Sequence, residues 1–122
     1  MTPNEIHNYC MGKHLAQETY PFGKFPVCYK LGGKIFAQLY PSTPCFQITL
    51  KCTSDRGQFY RMLYPGQVTR GNHCPPAQQP YWNTVRLENF PSRDLLEMID
   101  HAYDTVLNSF SKKQRDALME IV

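Results

Sequence analysis

Phe25-Pro-Val-Cys-Tyr-Lys-Leu31, Gly32-Gly33, Lys34-Ile-Phe-Ala-Gln-Leu-Tyr40 and, after a Pro/Ser/Thr turn, Cys45-Phe-Gln-Ile-Thr-Leu-Lys-Cys52 decide how this chain folds. The three runs are β-rich, and two consecutive glycines can take positive φ at both positions of a two-residue hairpin. That turn sets Leu31 opposite Lys34, Lys30 opposite Ile35 and Tyr29 opposite Phe36. Both faces of the hairpin then carry apolar residues, so the pattern leaves its core side open. The third run is sharper. Phe46, Ile48, Leu50 and Cys52 alternate with Gln47, Thr49 and Lys51, as in an antiparallel strand with one buried and one solvated face.

Outward from this stretch, helices and loops alternate. On the N-terminal side, Thr2-Pro3-Asn4-Glu5 is a helix start with a capping box. Ile6, Tyr9 and Cys10 share one face of that helix, and Gly12 stops it. Glu18 to Gly23 is turn chemistry whose two aromatics, Tyr20 and Phe22, are expected to tuck over a core edge. On the C-terminal side, Thr53-Ser54-Asp55 caps a second helix with Phe59, Met62 and Leu63 as its apolar face, ending before Pro65-Gly66. Residues 65–80 form a Pro/Gly-rich loop with room for a short edge strand near Gln67–Arg70. Tyr81 to Leu87 is a further strand, with Trp82, Thr84 and Arg86 on one face and Asn83, Val85 and Leu87 on the other.

Pro91-Ser92 opens the longest helix. Leu95, Leu96, Ile99, Ala102, Tyr103, Val106, Leu107 and Phe110 form its apolar stripe, and Asp94, Glu97, Asp100 and Asp104 lie on its solvated back. Ser111-Lys-Lys-Gln114 caps a terminal helix with Leu118, Met119 and Val122 inward. The order is helix, three strands, helix, one or two strands, then two helices. It predicts a two-layer α+β fold, an antiparallel sheet of about five strands covered by helices on one face.

A length of 122 residues suits one domain, spanning 1–122, and 42% hydrophobic residues suit a globular one. No apolar run approaches the ~18 residues of a membrane span. The first residues lack the basic and apolar regions of a signal peptide, so the expected location is the cytoplasm. Five cysteines, without a Cys-x-x-Cys pair, are then expected to stay reduced. The net charge of +3 hides an asymmetry: residues 1–90 hold nine Lys/Arg against four Asp/Glu, and residues 91–122 hold four against six. A basic body with an acidic C-terminal segment fits an anionic partner for the body.

Catalytic chemistry has little to stand on. His73-Cys74 is the one adjacent His/Cys pair, but a Cys–His nucleophile needs spatial partnership and a third positioning group, so Cys74 is expected to be structural. His7, His14, His73 and His101 are scattered without zinc-site spacing. Gly32-Gly33 joins two strands, so it lacks the helix N-terminus of a phosphate loop. The expectation is a protein with no catalytic residues, no metal and no cofactor. The solvated sheet face remains. It carries Lys51 with Trp82, Thr84 and Arg86, extended by Lys30 or Lys34 and by Arg70, a combination that could stack on bases and hold phosphates.

The whole chain resembles the MmcQ/YjbR-like family of small bacterial proteins. The resemblance rests on Tyr20-Pro21-Phe22-Gly23, Lys30-Leu-Gly-Gly-Lys34-Ile-Phe36-Ala, Leu50-Lys51-Cys-Thr and Trp82-Asn-Thr84-Val85-x-Leu87. It implies a CyaY-like or secretion-chaperone-like fold with a curved antiparallel sheet backed by helices, and a DNA-binding, double-wing role. Carried onto this chain, Lys30, Lys34, Lys51, Trp82 and Thr84 match the family pattern. Where the family often places His or Lys just before the Trp, this chain has Gln78-Gln79-Pro80-Tyr81. The resulting expectation is a non-catalytic nucleic-acid-binding protein using Lys30, Lys34, Lys51, Trp82, Thr84 and Arg86, with DNA as partner and a monomeric or weakly dimeric state. The alternative is a protein-interaction or chaperone-like adaptor working through a sheet edge or the 65–80 loop.

Overall fold

The computed structural model describes residues 1–71 and 74–121. Helix α1 (Pro3–Met11) opens with both halves of its capping box: the Thr2 hydroxyl accepts from the Glu5 N–H at 3.1 Å, and the Glu5 carboxylate accepts from the Thr2 N–H at 2.8 Å. There follow β1 (Gln17–Thr19), β2 (Val27–Leu31), β3 (Lys34–Tyr40), β4 (Gln47–Lys51), α2 (Ser54–Leu63) and β5 (Val68–Arg70). A 3-10 turn at Gln79–Tyr81 leads into β6 (Trp82–Arg86), α3 (Ser92–Ser109) and α4 (Lys112–Glu120). The strands pair antiparallel in the order β1-β2-β3-β4-β6-β5.

The diglycine turns the hairpin with φ of +56° at Gly32 and +84° at Gly33. Leu31 pairs with Lys34 and Lys30 with Ile35, as the turn dictates. The register then slips, and Tyr29 faces Ala37 rather than Phe36. Phe36 is the extra residue of a β-bulge. The slip lets Phe36 and Ala37 both point into the core, where the Phe36 ring meets Tyr103 edge-on at 5.5 Å.

The core lies between the sheet and α3. Tyr29, Ala37, Leu39, Ile48, Leu50, Val68 and Val85 supply the sheet side, and Leu95, Met98, Ile99, Ala102 and Val106 the helix side. Met98 completes a stripe that the sequence reading had without it. The carboxylates assigned to the helix back are instead mostly employed as ties. Asp94 accepts from the Tyr64 hydroxyl, Glu97 from that of Tyr60 at 3.4 Å, and Asp100 from that of Tyr9 at 2.6 Å and from the Lys13 ammonium. These bonds pin α1 and α2 to α3, although Glu97, like Asp104, stays exposed.

Four further expectations are corrected. Gln17–Thr19 pairs with Lys30–Cys28 as a sixth strand, in a segment too short and polar to show alternation. Tyr20 and Phe22 are exposed, because the chain leaves that edge strand in a turn instead of folding back over the core. The apolar face of α2 points outward: Phe59, Met62 and Leu63 are 55%, 73% and 51% exposed. Gly57 and Tyr60 face inward, and a Cβ at Gly57 would lie 2.7 Å from Cys52 Sγ, so the helix approaches β6 through its glycine. Arg61 Nη1 donates to Asn83 Oδ1 at 2.6 Å, and Asn83 Nδ2 to the Gly57 carbonyl at 3.1 Å. Met119 of α4 is exposed where it was expected inward, and Val122 and His73 lie outside the described residues.

Candidate nucleic-acid interface

The parity of the strands assigns the two sheet faces. Leu50 faces the core, so its neighbour Lys51 faces away, and Lys51 pairs with Trp82. Lys30 pairs with Ile35 on that same outer face. Lys34 pairs with buried Leu31 and so starts on the helix side, where its Nζ donates to Ser109 Oγ at 3.0 Å and lies 4.4 Å from the Phe110 ring centroid.

The ladders explain why these lysines meet. Pairing of β3 with β4 ends at Ala37–Leu50, while β4 and β6 continue to Lys51–Trp82 and the hairpin continues to its turn. The start of β3 therefore diverges from the end of β4, and a notch opens in the sheet. Its volume is about 460 Å³, and Lys30, Gly33, Lys34, Ile35, Lys51 and Trp82 line it together with Val106 and Ser109 of α3. The bulge at Phe36 sits in the diverging segment.

The electrostatics of the notch are one-sided. Among the described residues the ion pairs use Lys13, His7, Arg93 and Lys112, and none uses Lys30, Lys34 or Lys51. Burial pushes the Lys51 ammonium below its ordinary pKa, and the like charge of Lys34 acts in the same direction. The Lys51 Nζ lies 5.0 Å from the Trp82 ring centroid and 5.7 Å from that of Tyr81, within cation–π range of both. A half-buried ammonium with little water around it responds more strongly to an incoming anion than a fully hydrated one.

Backbone packing holds the indole in place. The Gly71 N–H donates to the Trp82 carbonyl at 2.9 Å, and a Cβ at Gly71 would fall 2.9 Å from Trp82 Cβ and 3.2 Å from Cys74 Sγ. The Cys52 N–H donates to the Tyr81 carbonyl at 2.9 Å, tying the other end of the turn.

The structure thus brings together Lys30, Lys34, Lys51 and Trp82 and separates Arg86. Arg86 shares their face but lies four residues beyond Trp82, ~13 Å along the strand, and lines a different concavity with Gly66, Gln67, Glu88 and Asn89. Thr84 lies between, its hydroxyl 2.9 Å from that of Thr49. Thr49 was expected on a wet face, yet it is fully buried. It sits mid-sheet, flanked across by Gln38 and Thr84 and along its own strand by Gln47 and Lys51, whose longer side chains overhang it. Arg70 pairs with inward-facing Asn83, away from the notch. Ser109, Val106, Gly71 and Tyr81 were not read from the sequence as site residues. The first two lie far from the lysines in sequence, and no local pattern links them to the notch.

Other chemistry finds no comparable constellation. Among the described residues, no group of three or more His, Cys, Asp or Glu is placed to hold a metal ion, and no helix is long and apolar enough to cross a membrane. The five cysteines are free thiols; burial raises those of Cys10 to about 12 and Cys52 to about 11, away from reactivity.

Comparison with known proteins places the fold and the family. The chain is similar in structure to Deinococcus radiodurans protein DR2400, a DUF419-domain protein, with a TM-score of 0.84 over 96% of this chain and 87% of that one at 24% identity. It is also similar to a Pseudomonas syringae protein solved by structural genomics, with a TM-score of 0.66 over 84% and 96% of the two chains at 18% identity. These two likenesses concern the fold. No curated protein matches the sequence. The YjbR family model matches residues 11–105, which include every lining residue of the notch except Val106 and Ser109. The chain belongs to the YjbR (MmcQ/YjbR) family.

Proposed function

We propose that the protein is a non-catalytic nucleic-acid-binding domain whose contact surface is the notch and the outer sheet face around it. One observation carries this reading: three lysines that form no ion pair among the described residues converge with the chain's single Trp at a break in the sheet. The ammonium groups supply phosphate contacts, and the indole supplies a stacking surface for a base. A DNA-binding role is also what the family resemblance implies.

The test is a titration of labelled DNA and RNA strands at ~50 and ~200 mM salt. Three phosphate contacts on a single strand give a slope of about −2 in log affinity against log salt, so affinity falls about twentyfold over that range. Lys30→Glu/Lys51→Glu should abolish this dependence, while Arg86→Glu, on a separate concavity, should leave it in place. Equal weak binding by the parent and the double variant at both salts would overturn the reading.

The exposed Phe59, Met62 and Leu63 of α2 favour a second reading, an interaction module for another protein. That surface differs from the sheet edge and the 65–80 loop expected from the sequence. It predicts association that resists nuclease and is lost on Met62→Gln/Leu63→Gln.

A further inference from the structure

The shape of the basic surface says more than its sign. A protein that tracks a nucleic-acid backbone needs cations strung along the path of successive phosphates. Along this sheet face the positive side chains gather at one end. Lys30, Lys34 and Lys51 border a single notch, and the outer-face row next along the strands is Gln38, Thr49 and Thr84, all neutral. Arg86 comes only at the far end, in a concavity it shares with Glu88. Lys13 is engaged by Asp100. Val106 and Ser109 of α3 complete the lining of the notch. The Ser109 hydroxyl accepts from Lys34 and donates to the Val106 carbonyl at 2.6 Å, so this part of the lining is held in place.

Three cations around one recess suit a ligand with its charge concentrated at a terminus. A diester phosphate carries one negative charge and continues in both directions, so it brings a single charge to three cations. A phosphate monoester carries up to two charges and ends there. Trp82, on the rim beside Lys51, is positioned for the base attached to that end.

We propose that the notch recognises the terminal phosphate monoester of a nucleotide, with Lys30, Lys34 and Lys51 around the phosphate and Trp82 against its base. This rests on the nucleic-acid reading above and narrows it from a backbone to an end. The shared chemistry can come from the end of a strand or from a free mononucleotide.

The experiment uses the intrinsic fluorescence of the single Trp. The full chain is titrated with a short DNA strand bearing a 5′-phosphate, the same strand bearing a 5′-hydroxyl, and thymidine 5′-monophosphate. The phosphorylated strand should bind about tenfold more tightly than the hydroxyl strand. Its advantage should shrink below pH ~6, where the monoester gives up its second charge and a diester does not change. Lys34→Gln, at an exposed position, and Lys30→Gln/Lys51→Gln should each reduce the preference, with circular dichroism confirming that the variants fold. The pH profile needs no variant. Equal binding of the two strands overturns the terminal-phosphate inference and leaves the nucleic-acid reading standing, as does a preference that survives in the folded lysine variants. Binding of the mononucleotide with no binding of either strand supports the inference and removes the nucleic-acid reading. Failure of all three ligands removes both.

Discussion

Gly71→Ala probes how the indole of the notch is held. The added Cβ would sit 2.9 Å from Trp82 Cβ and 3.2 Å from Cys74 Sγ, against an ordinary contact of 3.4–4 Å. Trp82 Cβ is fixed to a strand backbone that pairs with Lys51 on one side and whose carbonyl accepts the N–H of Gly71 itself, so it cannot swing away as a side-chain tip can. The shift of about half an ångström must pass into β6 or into the 70–71 backbone, an overpacking cost of about 1–3 kcal/mol. Reduced freedom of the unfolded chain returns about 0.4–1 kcal/mol. The net expectation is a loss of about 1–2 kcal/mol. With a urea m-value of about 2 kcal/mol/M, the unfolding midpoint should fall by about 0.5–1 M. Trp82 emission, followed through urea unfolding, reads both the midpoint and the altered surroundings of the ring. A variant at least as stable as the parent, with unchanged native emission, would refute the claim that Gly71 sets the position of Trp82.

Three further outcomes follow from the packing. Asn83→Ala removes the acceptor of Arg61 and the donor to the Gly57 carbonyl in a buried position, and should cost about 2 kcal/mol by chemical denaturation. Met62→Gln, on the exposed side of α2, should change stability by less than about 0.5 kcal/mol in the same assay, whereas truncating buried Tyr60 to Ala should cost several times more. His101 accepts the Thr53 N–H at 3.1 Å, and burial, aided by Arg56 and opposed by Asp104 and Asp55, lowers its pKa below 6.5. The unfolded chain then takes up this proton first as pH drops. Stability should be level above pH ~6.5 and decline below it towards the folded pKa, and His101→Gln should flatten thermal melts across that window.

The parts of the molecule that were legible in sequence are those with a local cause. Caps at Thr2 and Ser111, the stripe from Leu95 to Val106 and the pairings next to Gly32-Gly33 each depend on residues within a few positions of one another. The outward placement of Lys51, Trp82, Thr84 and Arg86 followed from period-two alternation alone. What stayed hidden depends on distant partners. The bulge at Phe36 seats a ring against Tyr103, far along the chain. The face of α2 was misread because hydrophobicity was taken as the guide. The contact is actually made by a glycine, a tyrosine and an arginine bonded to Asn83. The notch itself is an absence of pairing between β3 and β4, and an absence leaves no motif.

The ends of the sheet are as informative as its middle. Both outermost strands, β1 and β5, are three residues long. An added strand from another chain is held by its ladder of main-chain bonds, and a three-residue border can supply very few of them. Growth of the sheet by edge-to-edge stacking, the route to both strand-exchange dimers and fibrils, is therefore curtailed on either side. Any partner chain must find its grip on side chains, and α2 offers three apolar ones in Phe59, Met62 and Leu63.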